Sequence, residues 1–299
     1  MAIFDSAAEL LAAAAASPLP LWQLIVNASA ADVGQAPEDC WAEMGRRLAV
    51  MRQADASYDP AQRSASGLSG GDGEKMRLRA ESGACLGGPF TAELLTVALR
   101  MGECNACMHR IVAAPTAGAC GVIPAVLLAY ARTRRAGDDA LIRALFVSAA
   151  FGAIIAKRAS LSGAEAGCQA EIGSASAMAA AALVSLEGGT PEQMADAAAI
   201  ALKNLMGLVC DPVAGLVEVP CVKRNTVGAM NALTAAELAL AGIRSRIPAD
   251  EVIDAMRSVG RSLSPALRET GRGGVAASPT AAAFREAFFG GGDGDDIEK

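Results

Sequence analysis

The stretch LVCDPVAGLVEVPCVKRN, residues 208–225, combines helix-breaking residues with an apolar composition. The breaking residues are Pro212, Gly215 and Pro220. They recur too often for an ordinary helix, yet the side chains between them are too apolar for an ordinary surface loop. We therefore predict a buried, non-helical segment with a thiol at each end, Cys210 and Cys221. A helix would hold these cysteines about 16 Å apart, whereas a folded-back segment brings both to one site.

Small aliphatic residues dominate the rest of the 299-residue chain, which is 53% hydrophobic but only 4% aromatic. Such a composition favours close-packed helices over sheets. We predict a mainly α fold: a compact multi-helix domain with glycine-rich apolar loops that line a site. Hydrophobic patterns and cap residues predict helices over 37–54, 91–108, 123–135, 139–157, 173–187, 191–206, 226–241 and 249–259.

The chain is expected to have three parts. Residues 1–75 form an N-terminal helical segment and a Gly/Ser-rich loop (62–75) packed on the core, and that loop is either a flexible linker or a wrapping loop. Residues 76–289 form the helical catalytic domain. The glycine- and acid-rich end, 290–299, has no core-forming residue and is predicted to be disordered.

Charge narrows the possible partners and compartments. A net charge of −6 argues against a nucleic-acid surface. Asp5 and Glu9 stand where a signal peptide carries positive charge, so we expect a cytoplasmic protein. The uncharged run 111–131 contains two prolines and two glycines, which favours a buried loop and helix over a membrane span.

Three connectors are unusually apolar for loops: 114–121 (APTAGACG), 160–173 (SLSGAEAGCQAEIG) and 208–225. Buried backbone must be hydrogen-bonded, so loops normally lie at the surface. These loops also carry Cys, Ser, Thr, Glu and Asp side chains. They either line one enclosed site or form tight turns between alanine-rich helices, and the pattern alone leaves both open.

Eight cysteines in a reducing compartment are core residues, redox thiols or metal ligands. The pair Cys104 and Cys107 has no second pair at zinc spacing, so we interpret it as structural. Cys168, Cys210 and Cys221 each lie in an apolar loop beside polar groups. Such wide spacing fits an iron–sulfur cluster better than a zinc ribbon. Three thiolates leave one iron of a four-iron cluster open to act as a Lewis acid.

Several segments resemble the α chain of iron–sulfur-dependent L-serine dehydratase. They are SGLSGGDGEKM (66–76), APTAGACGVIPAVL (114–127), GCQAEIGSASAMAAAAL (167–183), GGTPEQ (188–193), CDPVAGLVEVPCVKRN (210–225) and RETGRGG (268–274). The resemblance implies a mostly helical domain and a [4Fe-4S] cluster held by Cys168, Cys210 and Cys221. It also implies conversion of L-serine to pyruvate and ammonia without pyridoxal phosphate.

Some features depart from family members that fuse both parts in one chain. Those members carry a second domain with a serine- and histidine-containing loop beside the substrate, whereas the single histidine here, His109, is interpreted as a surface residue. We therefore expect a separate β chain as an obligatory partner, in a higher oligomer. Some fused members also end in a cysteine that caps the cluster, and this tail has none.

Polar residues in the three loops are the site candidates. The acid–base candidates are Glu171, Asp211 and Lys223. The substrate-contact candidates are Thr116, Ala117, Gly118, Ser160, Ser162, Arg224 and Asn225. The base itself is not assigned. A cysteine desulfidase-like lyase and a non-catalytic, redox-sensing helical subunit stay open as alternatives.

Overall fold

The computed structural model describes residues 4–290, and helices make up most of them. The α-helices are α1 (Ala7–Ala15), α2 (Leu21–Val33), α3 (Pro37–Ala56), α4 (Asp72–Glu81), α5 (Gly88–Ala106), α6 (Val122–Arg134), α7 (Asp138–Arg158), α8 (Gly163–Ala166), α9 (Ser174–Leu186), α10 (Pro191–Asn204), α11 (Cys221–Leu240), α12 (Ala249–Ser262) and α13 (Pro279–Phe289). A π-helical turn spans Gln169–Gly173, and 3-10 turns span Val213–Gly215, Pro265–Leu267 and Gly274–Ala277. No strand occurs between residues 4 and 290, so the mainly α prediction is confirmed.

Helix α9 is the centre of the fold. Its sequence, SASAMAAAALVSL, is buried except for the last two residues. Alanine and serine let neighbouring helices approach closely, and α7, α10 and α11 pack around it. The approach of α7 is tightest at Gly152, where a Cβ would lie 2.5 Å from Met178 Cε. Small residues therefore set the spacing of the central layer.

The N-terminal helices share the same hydrophobic core. Helices α2 and α3 pack on α7, and one continuous set of buried apolar residues runs from Phe4 to Met256. Trp41 stacks on Phe146 of α7 and contacts Trp22 of α2. Helix α4 crosses the proposed boundary at residue 75, and the three-part division stays a prediction. The predicted disordered tail, apart from Gly290, lies outside the described residues.

Most helices start or end within a few residues of their predicted bounds. The start of α10 is a complete capping box, in which the Thr190 side chain accepts from the Gln193 amide and the Gln193 side chain accepts from the Thr190 amide. Helix α11 begins at Cys221 and not at residue 226, so the prediction that the whole of 208–225 is non-helical is wrong for its last five residues. Pro220 is followed directly by helical residues there, because proline is tolerated at a helix start.

The uncharged run 111–131 is a loop followed by helix α6, whose residues Val122–Ala129 are buried, as predicted. Helix α7 is long and apolar enough to span a bilayer by length and composition. Of its most apolar window, 67% is buried inside the fold, which is typical of a core helix.

Candidate active site

Three chain segments supply the three candidate thiols, and all three thiols are buried. Cys168 lies between α8 and the π-helical turn, where Gly167 has a positive φ of 76°. Cys210 lies in an extended segment. Cys221 is the first residue of α11, where the helix dipole favours negative charge on the sulfur.

The backbone of Cys210 is fixed on both sides. Its N–H donates to the Leu267 carbonyl at 2.9 Å, and the Glu269 N–H donates to its carbonyl at 2.8 Å. These bonds form an isolated parallel bridge between Cys210 and Arg268. A Cβ on Gly271 would lie 3.2 Å from the Gly215 nitrogen, which shows how closely residues 268–274 pack on the cysteine segment.

The three thiols lie close enough for their charges to affect one another. Burial, followed by the charge of Glu171, raises the pKa of Cys168 to about 11. Burial and then the Cys168 thiolate raise the pKa of Cys221 to about 12. The pKa of Cys210 is raised most, by burial and then by Glu171, Cys168 and other nearby anions including Cys221. The Arg224 guanidinium opposes the rise in the pKa of Cys168 and Cys221. Without a cation to bind, these groups are therefore neutral thiols near pH 7.

Glu171 connects this space to the 114–121 loop. Its Oε2 lies 3.8 Å from Cys210 Sγ, and its Oε1 accepts a hydrogen bond from Thr116 Oγ1 at 2.7 Å. Burial raises the pKa of the Glu171 carboxyl, while the Thr116 hydrogen bond opposes the rise. Two glycines keep the carboxylate accessible, because a Cβ on Gly163 or Gly118 would lie 2.5 Å or 3.0 Å from its oxygens.

Asp211 and Arg224 form an ion pair beside the thiols. Arg224 Nη2 lies 2.8 Å from Asp211 Oδ1, off the hydrogen-bonding direction, so the contact is mainly electrostatic. Arg224 Nη1 donates to the Val209 carbonyl at 2.8 Å, and the Val275 N–H donates to Asp211 Oδ2 at 2.7 Å. The Asp211 side chain is only 2% exposed. The pair joins the Cys210 segment, α11 and the segment before α13.

Asn225 joins the 114–121 loop to α11. Its side-chain oxygen accepts from the Gly121 N–H at 2.7 Å. Its side-chain nitrogen donates to the carbonyls of Gly118 and Cys221, both at 2.9 Å. The amide group is therefore saturated by backbone contacts, and it fixes Gly118 relative to Cys221.

The contacts of the remaining candidates are with groups other than the thiols. The Lys223 side chain is 71% exposed and pairs with Asp72 at 3.2 Å. Ser160 Oγ donates to Glu165 at 2.5 Å, and Ser162 precedes α8. The Ala117 carbonyl accepts from the Asn105 side chain at 3.2 Å.

Two buried carboxylates near the site were not among the candidates. Glu218 accepts from Ser64 Oγ at 2.6 Å and from Ser66 Oγ at 2.7 Å, which ties the Gly/Ser-rich loop to the cysteine segment. Glu103 of α5 accepts from backbone amides at the end of the same loop. The 62–75 loop therefore wraps the core, which is one of the two alternatives predicted for it, and is not a flexible linker. Each carboxylate is an isolated acid in an apolar run, and that pattern could have marked them.

The Cys104 and Cys107 pair and the single histidine, His109, have structural surroundings. Cys104 Sγ is buried and donates to the Ala54 carbonyl at 3.3 Å. Helix α5 ends at Ala106, one residue before Cys107. His109 is half-buried and hydrogen-bonds to the Gln62 side chain.

The donor set suits a cluster better than a single ion. Between residues 4 and 290, no three His, Cys, Asp or Glu side chains lie close enough to hold one metal ion. A single tetrahedral ion requires sulfurs about 3.8 Å apart, whereas each thiolate of a four-iron cluster binds a different iron and the sulfurs lie further apart. Three buried thiols that interact through their charges, with Gly163 beside Cys210 and Glu171, are ligands of the kind that a cluster would need.

Comparisons with known proteins identify the family of the chain. The family model for the serine dehydratase alpha chain matches residues 16–276. The chain is 52% identical over 254 residues to a probable L-serine dehydratase, alpha chain, of Bacillus subtilis, covering 85% of both chains. It is 50% identical over 214 residues to the L-serine dehydratase, alpha chain, of Peptoniphilus asaccharolyticus, covering 72% of this chain and 73% of that one. It is also 48% identical over 181 residues to L-serine dehydratase TdcG of Escherichia coli, covering 60% of this chain but only 40% of the longer relative. The sequence resemblance is thereby confirmed, and the chain belongs to the serine dehydratase alpha-chain family.

Proposed function

We propose that this chain is the α chain of an iron–sulfur L-serine dehydratase, a lyase that converts L-serine to pyruvate and ammonia. The observation that supports the proposal is that Cys168, Cys210 and Cys221 are all buried and interact through their charges, with Glu171 Oε2 3.8 Å from Cys210 Sγ. In a chain of this family, that donor set supports a [4Fe-4S] cluster and requires no pyridoxal phosphate. Reduced thiols are needed to bind it, which supports a cytoplasmic location.

Each thiol has a defined part in holding the cluster. Cys168, Cys210 and Cys221 would bind three irons as thiolates. When bound, such a cluster supplies an open iron that acts as a Lewis acid toward the serine hydroxyl and stabilises its departure. Arg224 adds positive charge beside Cys168 and Cys221 and so favours their thiolate forms.

Glu171 is the chain's own acid–base candidate. Asp211 is paired with Arg224, and Lys223 is largely exposed and paired with Asp72. Glu171, in contrast, has a raised pKa and one oxygen beside Cys210. It can hold a proton at Oε2 for the departing hydroxyl, while Thr116 fixes Oε1. The arrangement leaves removal of the Cα proton to a group from another chain.

A separate β chain is the proposed source of that group. The relatives from Bacillus subtilis and Peptoniphilus asaccharolyticus are both named as alpha chains. The polar groups described beside the thiols here are engaged by backbone or by each other. Arg224 and Asn225 would then position the 208–225 and 114–121 loops through their contacts with the Val209 and Gly118 carbonyls. L-serine would bind between these loops and the β chain.

The test is anaerobic purification of the chain with its co-encoded β chain, followed by assays of iron, sulfide and pyruvate. We expect pyruvate release from L-serine that is lost after exposure to air or an iron chelator. Activity that survives both treatments contradicts the open-iron mechanism. Sulfide release from L-cysteine in preference to pyruvate from L-serine would instead indicate a desulfidase-like lyase. Iron-free, inactive protein would indicate a redox-sensing subunit.

A further inference from the structure

A cavity of about 620 Å³ lies beside the candidate active site, between α3, the 110–115 segment and α7. Its floor is apolar and rich in methionine, including Met44, Met51 and Met178. Methionine side chains are flexible and adapt to different occupants. The volume is in the range of binding sites and not of packing defects.

The rim of the cavity is positively charged, although the chain as a whole carries −6. Arg46 and Arg47 both pair with Glu43, at 2.6 Å and 3.2 Å. Arg110 makes no ion pair with any residue between 4 and 290. Three arginines against one carboxylate leave the rim with a net positive charge, which complements an acidic occupant.

The surface at the mouth favours a protein occupant over a small molecule. The cavity is open on one side, and its lip carries Ile111, which is 49% exposed. Met108, three residues earlier, is 77% exposed. A small molecule inside the cavity would leave these apolar side chains in water, whereas a chain segment that enters the cavity would also cover its lip.

The cavity shares a wall with the reaction site. Ala113, Ala114 and Pro115 line it, and the next residue, Thr116, donates to Glu171. Only the loop that carries Ala113 to Thr116 therefore separates an occupant of the cavity from the Glu171 carboxyl group.

We propose that this cavity is a docking site for the β chain, and that it takes a segment combining an acidic side chain with a large apolar one. The carboxylate pairs with Arg110, and the apolar side chain contacts the methionine floor. Docking here would bring the partner to the loop that holds Thr116. The inference rests on the proposed function, because that function requires a second chain.

The test measures the dissociation constant of the α and β chains at low ionic strength. Arg110→Glu reverses the unpaired rim charge, and Ala149→Trp fills the cavity from its exposed side. We expect each variant to weaken binding at least ~10-fold, with iron content of the α chain unchanged. Arg261→Glu, the same charge change at an exposed position on α12, should change binding less than about 2-fold.

Four outcomes overturn the proposal: unchanged affinity in both cavity variants, an equal effect of Arg261→Glu, no association of the wild-type chains, or an effect of Arg110→Glu alone. The last contradicts it because the apolar floor would then be unused. Pyruvate release by the wild-type mixture is read separately, so a wrong docking site and a wrong function give different results.

Discussion

Glu103 provides the strongest test of how the fold supports the site. Its Oε1 accepts from the amides of Gly70 and Asp72, at 3.2 Å and 2.8 Å. Its Oε2 accepts from the Gly73 amide at 3.0 Å and from Tyr58 Oη at 2.7 Å. Glu103 is buried, so Glu103→Ala leaves these four donors without their acceptor. This carboxylate fixes the Gly/Ser-rich loop onto α5.

The expected cost follows from these contacts. A hydrogen bond to a charged group contributes about 1.5–3 kcal/mol, and removing a buried acceptor adds a desolvation penalty for its partners. Part of this free-energy cost is recovered in the variant, because the loop is partly exposed and water can hydrogen-bond to some of the donors. We expect Glu103→Ala to lower the free energy of unfolding by about 4 kcal/mol and Tyr58→Phe, which removes one donor, by about 1 kcal/mol.

The assay is urea unfolding of the isolated chain followed by circular dichroism. The midpoint should fall while the slope with denaturant stays constant. Glu81→Ala is the control, because that side chain is 62% exposed, and it should shift stability by less than about 0.5 kcal/mol. A loss below about 1 kcal/mol for Glu103→Ala would show that the loop is held by other contacts and would refute this reasoning.

Two further changes test the site. Gly163→Ala places a methyl group 2.5 Å from Glu171 Oε2 and 2.9 Å from Cys210 Sγ, so iron retention after anaerobic reconstitution should fall. Gly45→Ala, whose methyl would meet only an ordinary 3.6 Å contact, should retain iron fully, and equal behaviour of the two variants contradicts the packing argument. Thr116→Val removes the donor to Glu171, so kcat should fall at least ~10-fold, while Thr116→Ser should restore most of it. Similar rates for the valine and serine variants would exclude a role for the hydroxyl.

Sequence patterns predicted most of the helices because the spacing of apolar residues along a helix is a local property, and a cap sharpens the start of α10. Thr190 and Gln193 close the start of α10 with contacts between residues three apart. The start of α11 was missed because Pro212, Gly215 and Pro220 together indicate a non-helical segment, whereas Pro220 in fact directly precedes the first helical residue, Cys221. The π-helical turn after Cys168 has no local signal either.

Only part of the site could be predicted from the sequence, because contacts between distant residues leave no local pattern. Cysteines in apolar loops and the family resemblance selected Cys168, Cys210 and Cys221. An isolated acid in an apolar run marks Glu103 and Glu218, but their contacts join residues up to 45 and 154 positions apart, so no local pattern reveals the partners. Their burial depends on how the Gly/Ser-rich loop crosses the core.

Iron and sulfide content after anaerobic reconstitution tests the central claim most directly. Cys168→Ala, Cys210→Ala and Cys221→Ala are compared with Cys104→Ala and Cys120→Ala, which alter thiols that are also buried. If the first three residues bind the cluster, each of their variants should lose the four-iron absorption spectrum and most of its iron. The two controls should keep wild-type iron and sulfide per chain. Wild-type iron and a normal four-iron spectrum in any one of the first three variants would contradict the assignment of that cysteine as a ligand.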